Sequence, residues 1–270
     1  MKIKAVLSDV DGTLLNYDGK YEKETPGLIK KIQQRNMQFS VATGKAYFGE
    51  IERIIFELGL SPLNIVSGGG MIINWKTGET PWYRPISEVS TKYVVNYLYK
   101  THRIFSVETK EHAYMIDTKS NSAYTKDIVI EEFTMESIPT RALKILIHGC
   151  ANKLPEGEVD EHIKHIKDNC KDVEVVKFSF KDTFGLDVTS QASTKHTAVL
   201  EYGKILGISP SEMVAIGDGH NDYPLFTACG YKIAMGNAPK ELKEIADKVV
   251  NDAEHNGMKE ALEHVLSLSE

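Results

Sequence analysis

Ala5-Val6-Leu7-Ser8-Asp9-Val10-Asp11-Gly12-Thr13-Leu14-Leu15 carries the chain's first element and its first loop. Ala5, Val6 and Leu7 predict a short buried strand starting near Ile3. Two carboxylates, Asp9 and Asp11, stand at its carboxyl end, and Gly12 lets the backbone turn. In an open parallel sheet, ligands bind just outside the carboxyl ends of the strands. Two acids crowded there call for a counter-ion, and hard carboxylate oxygens suit magnesium. Taken alone, Asp-Gly is also an ordinary surface turn, so the neighbouring segments have to decide.

Outward from this loop the chain alternates. Thr25-Pro26 opens a helix with Leu28, Ile29 and Ile32 on one side, and Phe39–Ala42 predicts a strand ending at Thr43-Gly44-Lys45. Phe48, Ile51, Ile54, Ile55 and Leu58 recur at helical spacing. Leu63–Val66 predicts a third strand, ending in Ser67-Gly68-Gly69-Gly70. Strand, helix, strand, helix, strand argues for a parallel α/β sheet.

The rhythm then breaks. Residues 71–83 predict a hairpin turning at Lys76-Thr77-Gly78, 86–102 a helix, and 104–107, 113–116, 143–147 and 173–180 strands, with a further helix around Val159, Ile163 and Ile166. About 100 residues of this kind suffice for a separate α/β unit, expected at 84–184 as an insertion. The parallel rhythm is expected to resume with strand-like Leu186–Val188. A helix from Thr194-Lys195 follows, then a strand at Met213–Ile216 ending in Gly217-Asp218-Gly219-His220-Asn221-Asp222. A helix to Ala228, a strand to Met235, a helix over 239–246, a short strand at Val249-Val250 and a helix to Leu266 complete it.

Bulk properties exclude several classes. A net charge of -6, spread along 270 residues, points to neither a nucleic-acid nor a membrane surface. No apolar run approaches the roughly 20 residues of a transmembrane helix. Met1-Lys2-Ile3-Lys4 reads as the entry to a strand, with no signal-peptide core. Three widely spaced cysteines, Cys150, Cys170 and Cys229, read as free thiols of a cytoplasmic protein.

If the sheet is parallel, the loops at Asp9 and Asp11, at Thr43, and at Asp218 to Asp222 share one edge. Lys195, at a helix start, adds an ammonium. Four carboxylates at such range are unfavourable without a cation. Magnesium and a phosphate fit this inventory. The acids take the metal, while the Thr43 hydroxyl, the Lys195 ammonium and loop N–H groups such as that of Gly44 take phosphate oxygens.

This combination resembles the haloacid dehalogenase (HAD) superfamily of phosphotransferases over nearly the whole chain. Asp9-Val10-Asp11-Gly12-Thr13 matches its first motif, Thr43 the second, Lys195 the third and Gly217 to Asp222 the fourth. The late insertion and Ala234-Met235-Gly236-Asn237-Ala238 are similar to the Cof-type branch. The resemblance implies a Rossmann-like α/β fold: a parallel sheet core with helices on both faces (1–83 and 185–270) and an inserted α/β cap domain (84–184) that closes over the site and selects the substrate. It implies Asp9 as the nucleophile forming an aspartyl-phosphate and Asp11 as the acid, then base. It implies Mg2+ held by Asp9, the Asp11 carbonyl and Asp218, with Asn221 and Asp222 supporting that shell or orienting Lys195. The expected activity is hydrolysis of small phosphorylated metabolites, either sugar phosphates or phosphorylated cofactors. The alternatives are a phosphomutase and a non-catalytic phosphate-binding regulator.

Three positions depart from the branch: Lys45 where Arg is usual, Gly68 where Asn is usual, and His196 where Gly is frequent. Plainer readings stand beside the sharp ones. Thr43 can be a helix N-cap, and Ser67 to Gly70 a turn rather than a phosphate cradle. His162 and His165 share a helical face that solvation explains better than metal binding. His220 can be a surface loop histidine. Tyr93, Tyr97 and Tyr99 fit packing better than base stacking.

Overall fold

A computed structural model describes residues 2–116, 130–180 and 183–268. They form two compact units: residues 1–45, 52–82 and 194–270 in one, and 46–51 and 83–193 in the other.

In the first unit, β1 (Ala5–Ser8), α1 (Thr25–Gln34), β2 (Gln38–Val41), α2 (Glu50–Glu57), β3 (Leu63–Val66), β4 (Met71–Asn74) and β5 (Trp82–Tyr83) come first along the chain. β1 is fully buried, as four apolar or small residues in the middle of a parallel sheet must be. The sequence pattern makes Leu63–Val66 the third strand of that sheet. Instead β3 touches β2 through one parallel bridge, Ala42 to Ile65, and pairs antiparallel with β4 in a separate three-stranded sheet. An apolar tetrapeptide is compatible with either partner, so its composition could not choose.

The second unit holds α3 (Glu88–Lys100), β6 (Phe105–Glu108), β7 (Ala113–Met115), β8 (Ile130–Glu132), β9 (Lys144–Ile147), α4 (Gly149–Asn152), α5 (Glu156–Asn169), β10 (Val173–Phe180) and β11 (Thr183–Ser190). Its mixed sheet has the order β10-β11-β9-β6-β7-β8. One sheet face packs with α3 and α5 through Val94, Leu98, Val107, Ile145, Val159, Ile166 and Val188. Leu186–Val188, expected in the parallel core, pairs antiparallel with β9 and β10 here. The expected boundary at 184/185 therefore falls inside β11, and the compact unit runs on to Ser193.

The first unit resumes with α6 (Lys195–Leu206), β12 (Met213–Gly217), α7 (Tyr223–Ala228), β13 (Tyr231–Ala234), α8 (Lys240–Glu244), β14 (Lys248–Val249) and α9 (Gly257–Leu268). Its main sheet, in the order β14-β13-β12-β1-β2, is parallel throughout. Ala5 and Leu7 share a buried cluster with Ala215, with Tyr202 of α6 and with Phe226 of α7. On the opposite face α1 and α9 pack together. The chain leaves β1 for β2 and later returns to β12 on the other side, so the order reverses at β1. The carboxyl ends of β1 and β12 thus border the kind of crevice where α/β sheets bind ligands. Among the described residues, no helix is long and apolar enough to cross a membrane.

Candidate active site

Register brings the acids together. Ser8 lies opposite Ile216, and the Asp9 N–H donates to the Ile216 carbonyl at 2.9 Å. Asp9 and Asp218 therefore leave adjacent parallel strands at the same edge. Gly12, at φ +73°, turns the chain sharply there, and a Cβ on it would lie 2.4 Å from Asp218 Oδ2. Only the missing side chain permits that approach.

Lys195 arrives from elsewhere. The Thr194 hydroxyl accepts the Thr197 N–H at 3.0 Å and fixes the start of α6, so Lys195 is its first residue. Its ammonium is buried and donates to Asp9 Oδ1 and Asp222 Oδ1, each at 2.6 Å. Gly69, at φ +98°, packs against the same helix start: a Cβ there would meet the Thr194 carbonyl at 2.2 Å. Ser67 to Gly69 is a short 3-10 turn bonded to the Thr43–Lys45 loop, with the Gly68 N–H on the Thr43 carbonyl at 2.9 Å. The glycine run thus has a packing role of its own.

Asp9, Asp218 and Asp222 can each offer an oxygen within 4.8 Å of the others, a grouping able to hold a metal ion. Burial, then the Asp222 charge, pushes Asp9 up to about 8 against the pull of Lys195. Burial raises Asp218 to about 6, although a Thr13 hydrogen bond opposes it. Burial disfavours the Lys195 ammonium, but Asp222 and Asp9 outweigh it and hold the lysine above its ordinary value. Three acids against one base leave an excess of negative charge. A bound cation would offset that excess.

The expected site residues divide. Asp222 is fully buried; besides Lys195, its Oδ2 accepts the N–H groups of Asp218 and Gly219, each at 3.0 Å. Both its oxygens are engaged, and it anchors Lys195 and the fourth-motif loop. Asn221 and His220 are exposed. The Asp11 side chain, expected as the acid and base while its backbone carbonyl faces the metal, lies outside the three-acid group and accepts from Lys45 Nζ at 2.6 Å. Thr43 is buried and its hydroxyl accepts the Lys45 N–H at 3.1 Å, the local capping contact, with half-buried Gly44 between them.

Two contacts go beyond what the motifs suggest. The Thr13 hydroxyl donates to Asp218 Oδ1 at 2.6 Å, and Asn237 Nδ2 donates to Asp218 Oδ2 at 2.8 Å. Asn237 follows β13, one more strand ending at this edge, so the rule that found the other loops pointed to it as well. Elsewhere, Tyr97 and Tyr93 bond His162 and His165, the ring of Tyr97 stacking on His165 at 4.0 Å. The tyrosines pack, as expected, whereas His162 is buried under them and not on the solvated face that its spacing suggested. The three cysteines are free thiols.

The chain belongs to the haloacid dehalogenase-like hydrolase family, which matches residues 6–262. The resemblance carried by its four motifs is therefore borne out, and the protein is a phosphatase of that superfamily. Phosphatase YwpJ of Bacillus subtilis (strain 168) is 24% identical, over 98% of this chain and 100% of its own length. The 5-amino-6-(5-phospho-D-ribitylamino)uracil phosphatase YwtE of the same strain is 26% identical, over 98% and 99%. A haloacid dehalogenase-like hydrolase from Bacteroides thetaiotaomicron shares the fold with a TM-score of 0.85 at 22% identity, covering 98% of this chain and 100% of that one. The subclass IIB sugar phosphatase BT4131 does so with a TM-score of 0.80 at 18% identity, covering 97% and 98%.

Proposed function

We propose that the chain is a magnesium-dependent phosphomonoesterase that works through Asp9. The observation carrying this reading is the buried Lys195 ammonium, shared at 2.6 Å between Asp9 and Asp222 beside Asp218. Acids from both ends of the chain are gathered there at an electrostatic cost that Lys195 offsets in part and that a cationic ligand would offset further.

An Asp9 carboxylate oxygen attacks phosphorus, and the ester P–O bond breaks as the aspartyl-phosphate forms. Asp11 gives a proton to the departing alkoxide, then takes one from the water that attacks phosphorus and breaks the Asp9–O–P bond. Inorganic phosphate leaves and Asp9 is restored. Lys195 offsets charge on the transferring phosphoryl oxygens, and the Thr43 hydroxyl and Gly44 N–H orient them. Asp9, the Asp11 carbonyl and Asp218 are the proposed holders of Mg2+, whose hard, oxygen-seeking character suits carboxylates. When bound, the metal neutralises charge developing on the phosphoryl oxygens. Asp222, with both oxygens engaged, fixes Lys195 and the loop; Asn221 lies outside this set.

Small phosphorylated metabolites, sugar phosphates or a phosphorylated cofactor precursor, are the proposed substrates. The activities named for BT4131 and for YwtE favour this class. We further propose that the second unit, from about residue 84 onward, sets the specificity. The test is phosphate release from p-nitrophenyl phosphate with Mg2+, then from a panel of phosphorylated metabolites. EDTA and Asp9→Asn should each abolish release. Activity persisting through both would refute the scheme.

A further inference from the structure

We propose that Asn237 is a positioning residue that aims the Asp218 carboxylate at the metal. Its Nδ2 donates to Asp218 Oδ2 at 2.8 Å and to the Gly12 carbonyl at 3.0 Å, while its Oδ1 accepts the Ala253 N–H at 3.3 Å. One carboxamide thus ties together the loops after β1 and β12 and the segment after β14. Its orientation is not interchangeable. Turned over, it would set an oxygen against two acceptors and an N–H group against a donor.

The arrangement is rigid around Asn237 as well. The Gly236 N–H donates to the Asn251 carbonyl at 3.1 Å, and a Cβ on Gly236 would lie 2.6 Å from the Asp252 nitrogen. On the other side of the acid, the Thr13 hydroxyl holds Oδ1 at 2.6 Å. Each Asp218 oxygen therefore accepts one hydrogen bond from a neutral donor. A carboxylate oxygen has about two lone-pair positions, so one on each is left for a cation. Neutral donors suit a metal-facing acid, because they fix the rotamer without supplying positive charge that would compete with the ion. Partners of this kind behind a ligand are typically worth about 10- to 100-fold in metal affinity.

The proposal rests on Asp218 being a metal ligand, and the test separates the two. Mg2+ is titrated calorimetrically into wild type, Asn237→Ala and Asp218→Asn, each shown to be folded by circular dichroism at the titration temperature. Asn237→Ala should bind Mg2+ about 10- to 100-fold more weakly. With p-nitrophenyl phosphate its half-activating Mg2+ concentration should rise in step, and excess Mg2+ should restore kcat. A merely structural defect would lower the melting temperature but leave the Mg2+ affinity of the folded variant unchanged. If Asp218→Asn loses the ion while Asn237→Ala binds like wild type, Asn237 has no positioning role. If Asp218→Asn binds like wild type, the reading of the site fails, and this proposal with it. Should the alanine variant not fold, Asn237→Ser gives the same discrimination. It keeps a donor but is too short to span both acceptors.

Discussion

Lys195 shows how one residue can set a site. Its ammonium is the only cation bonded to Asp9 and Asp222 among the described residues, and both acids are buried. Lys195→Met should lower kcat about 100- to 1000-fold, the usual effect of removing one electrostatic donor. Steady-state assay with p-nitrophenyl phosphate checks this, and a melting curve checks that the variant is folded. Gly12 acts by having no side chain. Gly12→Ala would place a methyl 2.4 Å from Asp218 Oδ2 at a φ of +73°, displacing the acid. A loss of activity at least as large as that of Lys195→Met is expected, with weaker Mg2+ binding by calorimetry. The identities of Asp9, Lys195 and Asp218 were legible because charged residues directly after strands, or at a helix start, have few structural reasons to be there. Asp222 was expected either to support the metal shell or to orient Lys195, and it bonds Lys195. The parts of Thr13 and Asn237 were not legible. A hydroxyl or an amide takes its role from which neighbour lies within hydrogen-bond reach, and the folded loops decide that.

At the scale of elements, the turn after β3 and the start of α6 form one contact. Gly68 and Gly69 both have positive φ, yet only Gly69 faces backbone, where a Cβ would meet the Thr194 carbonyl at 2.2 Å. Gly68→Ala should cost only the conformational penalty, about 1 kcal/mol. Gly69→Ala should in addition push the start of α6 and move Lys195, so kcat should fall far more than for Gly68→Ala. Parallel melting and kinetic measurements on the two variants separate strain from displacement. The same scale explains the misplaced strands. Leu63–Val66 and Leu186–Val188 are apolar segments of strand length, and length and apolarity identify a strand without naming its partner. β3 found β4 through a nearby turn, whereas β11 found β9 and β10 in the second unit.

For the molecule as a whole, two global measurements are informative. In the second unit His148 is buried, within 3.1 Å of the Ser106 hydroxyl. Burial, aided by the Lys144 charge, lowers it to about 4. Between the ordinary value near 6.5 and about 4, the unfolded chain holds a proton here that the folded chain does not. Stability must therefore fall as pH drops through that window. Between pH 7 and 5 this group should remove about 2 kcal/mol, and His148→Gln should flatten that part of the slope in denaturant titrations. The first unit supplies the second measurement. Its sheet pairs Ala5 with Met213, so a cation shared by Asp9 and Asp218 joins distant parts of the chain. Mg2+ at about 100 times its Kd should stabilise this fold by about 2.7 kcal/mol. Thermal melts with Mg2+ and with EDTA should differ accordingly in wild type and coincide in Asp218→Asn.

The order of residues along the chain determined the alternation of strands and helices and which loops carry acids. These follow from local periodicity and from the charges themselves. Whether Asp218 meets Asp9, which sheet takes β3 and β11, and which amide grips which carboxylate were decided only by tertiary structure. Each depends on contacts between segments remote in sequence, and local composition holds no information about those distances.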